Sequence, residues 1–563
     1  LDVFYGTGLT NSHTLTLSQG GANLNSFTSL GYNETEGTLK DVSDLKRFNF
    51  RNNLNGKSDN GKFQYGTSLS INYSESNEPN QVGSGAVNRN FILGANKSVP
   101  YLSVYDYEPG KGSEITASFL NTPLMLLDRK DTYVRKEDEI KILANLNASY
   151  NFTDFLSFTT SLSTDFTNET LTRAESPNSF NAQFFAEDGN TTPGFQQQYS
   201  DRVLALNFNN SLKYLDTFDD KHTVEVSLSS EYFKAHQRFF SYFAEGLSPK
   251  NFYPGDGAAF IDDNSENDFF VDDAGANVQN AGLLSFFVFA DYDYDKKYGL
   301  SDTVRRDASY RFADSNKWGT FYSFSGRWNI HNESFMDNSP FSLLKLRGSY
   351  GTAGNDRVVN GIGTDAYFVG ANLTQELYGT GSTYQGQNGL FLSQLPNPDL
   401  RWETVAQANV GVDFEIWNKR LRGSFDVYRK TTDDLYISRS ISPALNGGVS
   451  TLNANVGKMK NEGIDAELNY QLIKPSVNEG LSVLLKGLIN YNKQELLDLG
   501  TEGDIIGSTS ISAVGGVLGE NYRVPYLGVN PANGNLLFLD INGNVTENTT
   551  NADRRRTGKN SVP

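Results

Sequence analysis

The sequence predicts an all-β fold, a transmembrane antiparallel β-barrel, on three observations. Apolar and polar residues alternate with period two along most of the chain. Short and long links between the alternating segments themselves alternate. Aromatic residues make up 13% of the 563 residues, yet mean hydropathy is only -0.48. A soluble core does not combine the last two properties. A barrel wall does, because apolar lipid-facing residues alternate with polar lumen-facing ones.

Period two is clearest from Ala406 to Ile416. Ala406, Ala408, Val410, Val412, Phe414 and Ile416 fall on one face; Gln407, Asn409, Gly411, Asp413 and Glu415 fall on the other. Ile464, Ala466, Leu468 and Tyr470 repeat the pattern, as do Ile142, Ala144, Leu146, Ala148, Tyr150 and Phe152. Such alternation marks a strand with two unlike faces. About sixteen such segments occur, each of roughly 9 residues or more, long enough to cross a bilayer when tilted. Soluble sandwiches or a β-solenoid also alternate.

The links separate these readings. Short ones lie at 19–23, 55–61, 153–155, 215–221, 295–298, 417–420 and 474–480. Long ones lie at 74–139, 174–202, 234–280, 352–399 and 497–563, with shorter members at 34–46, 312–318 and 439–453. Short periplasmic turns opposite long extracellular loops are the asymmetry of an outer-membrane barrel. Tyr150, Phe152, Tyr214, Tyr292, Tyr294 and Trp417 sit near the short links, where an interfacial girdle belongs.

Bulk properties exclude several functions. The net charge of -18 opposes nucleic-acid binding. The absence of cysteine excludes disulfides, Cys-ligated zinc and thiol catalysis. No run of about 18 apolar residues is present, so no transmembrane helix is expected. No leader opens the chain, which starts at Leu1-Asp2-Val3-Phe4 and stops at Ser561-Val562-Pro563 without a terminal strand. The expectation is a mature chain or a fragment, truncated at the C-terminus. Residues 1–500 are expected to hold the strands and 501–563 a long extracellular loop region before missing strands.

Catalysis has no support. His13, His222, His236 and His331 lack zinc spacing, and neither Gly-x-Ser-x-Gly nor a phosphate loop occurs. Asp262, Asp263, Glu266 and Asp268, in a run that extends to Asp272 and Asp273, offer hard oxygen ligands for a structural Ca²⁺ but lack the EF-hand spacing. A solvated acidic loop is the plainer reading, and no cofactor is expected. Asp540-Ile541-Asn542-Gly543-Asn544 reads as a tight turn through Asn-Gly.

The long connections carry aromatics among polar residues: Tyr101, Tyr105 and Tyr107; Phe240, Tyr242, Phe252 and Tyr253; Tyr367, Phe368 and Tyr378. Sugar rings stack on such faces, and peptides use them as anchors. These ten are the candidate substrate contacts, weighed against loop self-packing or contact with a partner. Lumen charges such as Lys345, Arg347, Asp413, Glu415, Asp465 and Glu467 are expected to pair across strands.

Several stretches carry a family resemblance. Leu344-Lys345-Leu346-Arg347-Gly348-Ser349-Tyr350-Gly351-Thr352-Ala353-Gly354-Asn355 resembles a barrel strand of the SusC/RagA family of TonB-dependent outer-membrane transporters. Asn397-Pro398-Asp399-Leu400-Arg401-Trp402-Glu403-Thr404, Phe425 to Leu435, Asn455 to Asp465, Arg305 to Phe312 and Leu527 to Gly534 are similar to later or earlier family segments, in family order. The resemblance implies a plugged barrel of roughly 22 strands, of which about 16 are here. It implies import of oligosaccharides or oligopeptides with a SusD-like surface lipoprotein, powered by TonB, ExbB and ExbD through an N-terminal region that nothing here resembles. Pairing of two transporter–lipoprotein units is a further implication. A passive porin, or a non-transporting barrel in a surface or secretion assembly, are the alternatives.

Overall fold

The computed structural model describes residues 2–79, 85–99, 101–185, 193–245, 247, 271–357, 367–370, 372–384, 387–473, 480–500 and 503–559. Alternation becomes strand nearly everywhere it was read. The strands are β1 (Thr10–Gly20), β2 (Leu24–Glu36), β3 (Asp44–Lys57), β4 (Phe63–Asn77), β5 (Tyr133–Asn151), β6 (Leu156–Glu175), β7 (Phe195–Phe218), β8 (His222–Glu245) and β9 (Val271–Tyr294). They continue with β10 (Tyr298–Ser309), β11 (Trp318–Asn329), β12 (Phe341–Asn355), a hairpin of β13 (Leu377–Tyr384) and β14 (Gln387–Gln394), then β15 (Glu403–Ile416), β16 (Leu421–Ser440), β17 (Thr451–Ile473) and β18 (Val483–Asp498). Sixteen of them form one sheet in sequence order, from β1 to β12 and on through β15 to β18. Sequential antiparallel neighbours are what a chain of hairpins produces. Among the described residues no helix is long and apolar enough to cross a membrane.

The chain divides into two compact units. The first holds residues 1–152, 158–210 and 232–282; the second holds 153–157, 211–231 and 283–563.

In the second unit the register sorts the two faces. Leu344, Leu346, Gly348 and Tyr350 stand opposite Phe414, Val412, Val410 and Ala408. Val412 and Val410 stand in turn opposite Phe425 and Val427, which face Ala466 and Ile464, then Ile489 and Tyr491. Leu346, Tyr350, Val410, Phe425, Val427, Ile464, Ile489 and Tyr491 are all exposed. An exposed apolar band of this kind is the lipid-facing side of a barrel wall. A one-residue slip would put Arg347 and Asp413 into that band, so register is strongly specified.

The short links tighten without glycine in places. Asp219 and Asp220 (φ 50° and 56°) and Asp295 and Lys296 (φ 51° and 55°) all take left-handed backbone. Two such residues in sequence match the right-handed twist of the flanking strands. The connection between β11 and β12 is longer than these turns. Residues 330–340 carry two 3-10 turns, Ile330–Asn332 and Ser334–Met336.

Buried apolar side chains gather at the loop bases, away from the lipid-facing band. In the first unit Phe4, Leu39, Phe91, Ala95 and Leu126 form one cluster. In the second, Phe312, Phe321, Leu400 and Trp402 form another, and Leu435, Ile437, Leu496 and Leu499 a third. Residues 503–559 add two small sheets, one of four short strands and one of three.

Candidate functional site

The first unit carries a folded structure in two of its long connections, those between β4 and β5 and between β6 and β7. α1 (Phe91–Lys97) is capped by Asn90, whose side chain accepts from the Ile92 and Leu93 amides. α2 (Thr122–Thr132) starts with Pro123 in its first turn, where a missing N–H costs nothing. α3 (Phe180–Phe185) is held from outside: the Phe180 amide donates to Asp128 Oδ2 at 2.7 Å. Gly112 lets these parts meet, since a Cβ there would lie 2.3 Å from Asp128 Oδ1 and 2.5 Å from the Phe180 nitrogen.

Charges are buried in this cap. Arg129 donates to Glu175 at 3.2 Å, with both side chains almost fully buried, and its guanidinium lies 3.9 Å from the Tyr133 ring centre. Ser179 donates to the same Glu175 oxygen at 3.3 Å. Asp128 is fully buried, and its Oδ1 has no donor among the described residues. Burial pushes the Asp128 carboxyl up to about 6, against the Phe180 amide, which pulls it down.

The candidate aromatics fall into distinct groups. Tyr101 and Tyr105 are 86% and 92% exposed, and Tyr105 rides on a 3-10 turn (Val104–Asp106) closed by a Ser103–Asp106 capping box. Tyr107 is half-buried and donates to Asp131 Oδ2 at 3.0 Å. Phe240 and Tyr242 lie on β8, which runs to Glu245, so they are strand residues rather than loop residues. The adjacent aromatics Phe239-Phe240 and Tyr242-Phe243 break the period-two signal there, although the backbone stays extended. Phe240 is exposed, while the Tyr242 hydroxyl accepts from Gln196 at 2.7 Å.

In the second unit Phe368 is buried. Arg311 fixes its segment, donating to the Val369 and Tyr367 carbonyls at 2.9 and 3.2 Å and to Asp356 at 2.8 Å. The Tyr367 ring meets Phe368 edge-on. Tyr378, on β13, is exposed and donates to Glu376. Phe252, Tyr253, Asp262, Asp263, Glu266 and Asp268 lie outside the described residues. Among the described residues no group of three or more His, Asp or Glu is placed to hold a metal. Asp540 accepts from the Asn544 amide at 2.7 Å, which closes the tight turn read there.

The inner face of the second unit is stapled by arginines that reach across a strand. Arg347 on β12 pairs with Gly411 on β15 and passes over it to Asp426 on β16, with two contacts of 2.6 Å. Asp413 accepts from the same guanidinium at 3.1 Å. Arg327 on β11 passes over its partner Gly299 on β10 to Asp291 and Asp293 on β9, at 2.8 Å each. Arg305 on β10 crosses Phe287 at 4.9 Å to reach Glu231 on β8 at 2.8 Å. Tyr428 uses the same device, lying over Gly463 and donating to Asn492 at 3.2 Å. Of the six lumen charges read from sequence, Arg347 and Asp413 meet as expected. The carboxylates that Arg327 and Arg305 hold, and the glycine opposite Arg327, were not anticipated. For Arg327 the signal is a strand Gly opposite an Arg, which needs the register to be seen.

The aromatic girdle is present at the short-link ends. Tyr150 and Phe152 meet at 5.1 Å in the first unit. In the second, His222, Tyr294, Tyr298 and Trp328 form a continuous row. Glu333 accepts from both the Tyr298 hydroxyl and the Trp328 indole. His222 is thus a girdle residue, with its Nδ1 at 2.7 Å from the Tyr292 hydroxyl.

The profile of the family described as "TonB dependent receptor-like, beta-barrel" matches residues 101–561. The chain belongs to that family. Curated relatives place it with the SusC/RagA type. It is 26% identical to the TonB-dependent receptor SusC of Bacteroides thetaiotaomicron, over 89% of this chain and 48% of that protein. It is 32% identical to TonB-dependent receptor P39 of Formosa agariphila, over 57% of this chain and 29% of that one. TonB-dependent receptor P26 of the same organism matches at 27% over 89% of this chain and 47% of its own length. The RagAB peptide transporter has the same fold, with TM-score 0.78 at 22% identity, covering 99% of this chain and 59% of that chain. The chain therefore spans about half the length or less of the curated relatives it matches. As a TonB-dependent barrel of this type it is an outer-membrane protein.

Proposed function

We propose that the chain is the barrel wall of an energised importer that takes up oligosaccharides or oligopeptides. The observation that carries this reading is the pair of almost fully exposed tyrosines, Tyr101 and Tyr105, on a cap with its own buried charges. A fixed cap that presents bare aromatic faces to solvent suits capture of a sugar or peptide from outside. Phe240 and Tyr378 offer further exposed rings, whereas Phe368 is buried and serves the fold. The family supports active transport, and RagAB, a peptide importer, supports the peptide arm. The complete protein is read as working with a SusD-like surface lipoprotein and with TonB, ExbB and ExbD, in pairs of transporter–lipoprotein units. It is not read as an enzyme.

The test uses cells that carry the full-length protein and a gene deletion. Uptake of a fluorescent oligopeptide and a fluorescent oligosaccharide is followed with and without a proton uncoupler. Uptake of at least one probe that needs both the gene and the proton gradient supports the proposal. Gene-dependent uptake that survives the uncoupler identifies a passive porin. No gene-dependent uptake of either probe identifies a barrel that does not transport them.

A further inference from the structure

The lipid-facing side of the second unit holds an acidic residue at mid-depth, where apolar ones belong. On β10 the outward-facing residues run Tyr298, Leu300, Asp302, Val304 and Arg306, while Ser301 and Arg305 point inward to Asp291 and Glu231. Tyr298 lies in the girdle at one end, and Arg306 stacks on Trp318 at the other. Asp302 sits midway between them, about 10 Å from each border for a tilted strand. Its direct neighbours across the sheet are Ala290 and Phe324. Among the described residues nothing donates to it and no cation pairs with it.

Asp302 opens into a groove of about 500 Å³ on this outer face. Ala290, Gly326 and Gly348 keep the groove deep, and Leu300, Phe324 and Tyr350 wall it. A charge in a hydrocarbon layer is costly without a partner, and small residues let a second backbone approach closely. The geometry points to a docking groove for a membrane-embedded segment of a different protein, apolar except for one cationic side chain at mid-depth.

Charge complementarity selects this occupant. A phospholipid has no cation at mid-depth; its charges lie at the headgroups. At mid-depth a second copy of this chain would meet Asp302 with its own apolar band of Val410, Val412, Phe425, Val427 and Ile464, because its outward arginines, Arg306 and Arg429, lie further toward the loop ends of their strands. About a two-fold axis along the membrane normal it would bring carboxylate to carboxylate. The inference is independent of the import reading.

The test reconstitutes the full-length protein in phosphatidylcholine vesicles with synthetic leucine-rich transmembrane peptides of about 20 residues. One peptide carries a central lysine and the other a central leucine. Energy transfer between labelled protein and peptide reports association. The lysine peptide is expected to associate about tenfold more strongly than the leucine peptide. Asp302→Leu is expected to remove that difference, and Asp302→Asn to reduce it, with both variants keeping the folded electrophoretic mobility. Equal association of the two peptides with the wild type overturns the proposal. So does a lysine preference that survives Asp302→Leu. Self-association of the barrel that Asp302→Leu abolishes also overturns it, in favour of a second copy.

Discussion

Arg347 and Gly411 are cross-strand partners, and the guanidinium lies in the space where a Cβ on Gly411 would be, 2.7 Å from Cζ. The glycine is what lets the arginine reach Asp426 one strand further on. Three strands are thereby tied by one side chain. Arg327 over Gly299 repeats the arrangement, so the inner face is held by staples that skip a strand.

Gly411→Val should therefore break the staple without touching a charge. Displacing the bidentate contact to Asp426 is expected to lower stability by about 2 kcal/mol. Gly411→Val combined with Asp426→Asn should be clearly less than additive, because both remove the same contact. Denaturant unfolding of the full-length protein in vesicles measures this. Full additivity would show that the glycine does not serve Arg347.

Much of the wall was legible in the sequence. Period two located most of the long strands, because each has one apolar and one polar face. Their ends were less legible. β8 runs to Glu245 although Phe239-Phe240 and Tyr242-Phe243 interrupt the alternation, since backbone pairing above the membrane needs no apolar face. The helices in the connections were not anticipated, although Pro123 followed by Leu-Met-Leu-Leu is a helix-start signal. The staples were hidden because a lone glycine in a strand does not say which residue stands opposite. The exposure of Tyr101 and Tyr105, and the burial of Phe368, depend on tertiary contacts that residue type does not reveal.

Asp128 makes the cap pH-sensitive. Its carboxyl titrates near 6 when folded, above the ordinary value of about 4, so the folded state holds the proton more tightly. The Asp128 contribution to cap stability is therefore highest below about pH 4, falls between about pH 4 and 6, and is flat above; its total change is about 2–3 kcal/mol. Hydrogen exchange of α2 and α3 amides, corrected for intrinsic rates, should show protection falling across that window. Asp128→Asn should flatten the profile.

Glu175 is expected to be essential to the same cap. Glu175→Gln leaves Arg129 buried with no counter-charge, at a cost of about 3–5 kcal/mol. The loss should be local: rapid proteolysis within 85–132 while the strands stay resistant. Unchanged proteolysis would mean that the pair is dispensable.

Exposed and buried aromatics should separate by phenotype. Tyr105→Ala should lower uptake or binding about three- to tenfold and leave unfolding unchanged. Phe368→Ala should instead destabilise by about 3 kcal/mol through the cavity it leaves. Paired binding and unfolding measurements on the two variants distinguish the roles.

Import from outside requires one orientation, with the cap that carries Tyr105 facing outward and the short links facing the periplasm. The chain has no cysteine, so single cysteines can be placed on a silent background within it. Tyr105→Cys and Asn418→Cys, in the full-length protein on intact cells, are treated with a membrane-impermeant maleimide. Residue 105 should label at once, and residue 418, in the β15–β16 turn, only after the outer membrane is permeabilised. Labelling of 418 but not 105 on intact cells would contradict the account.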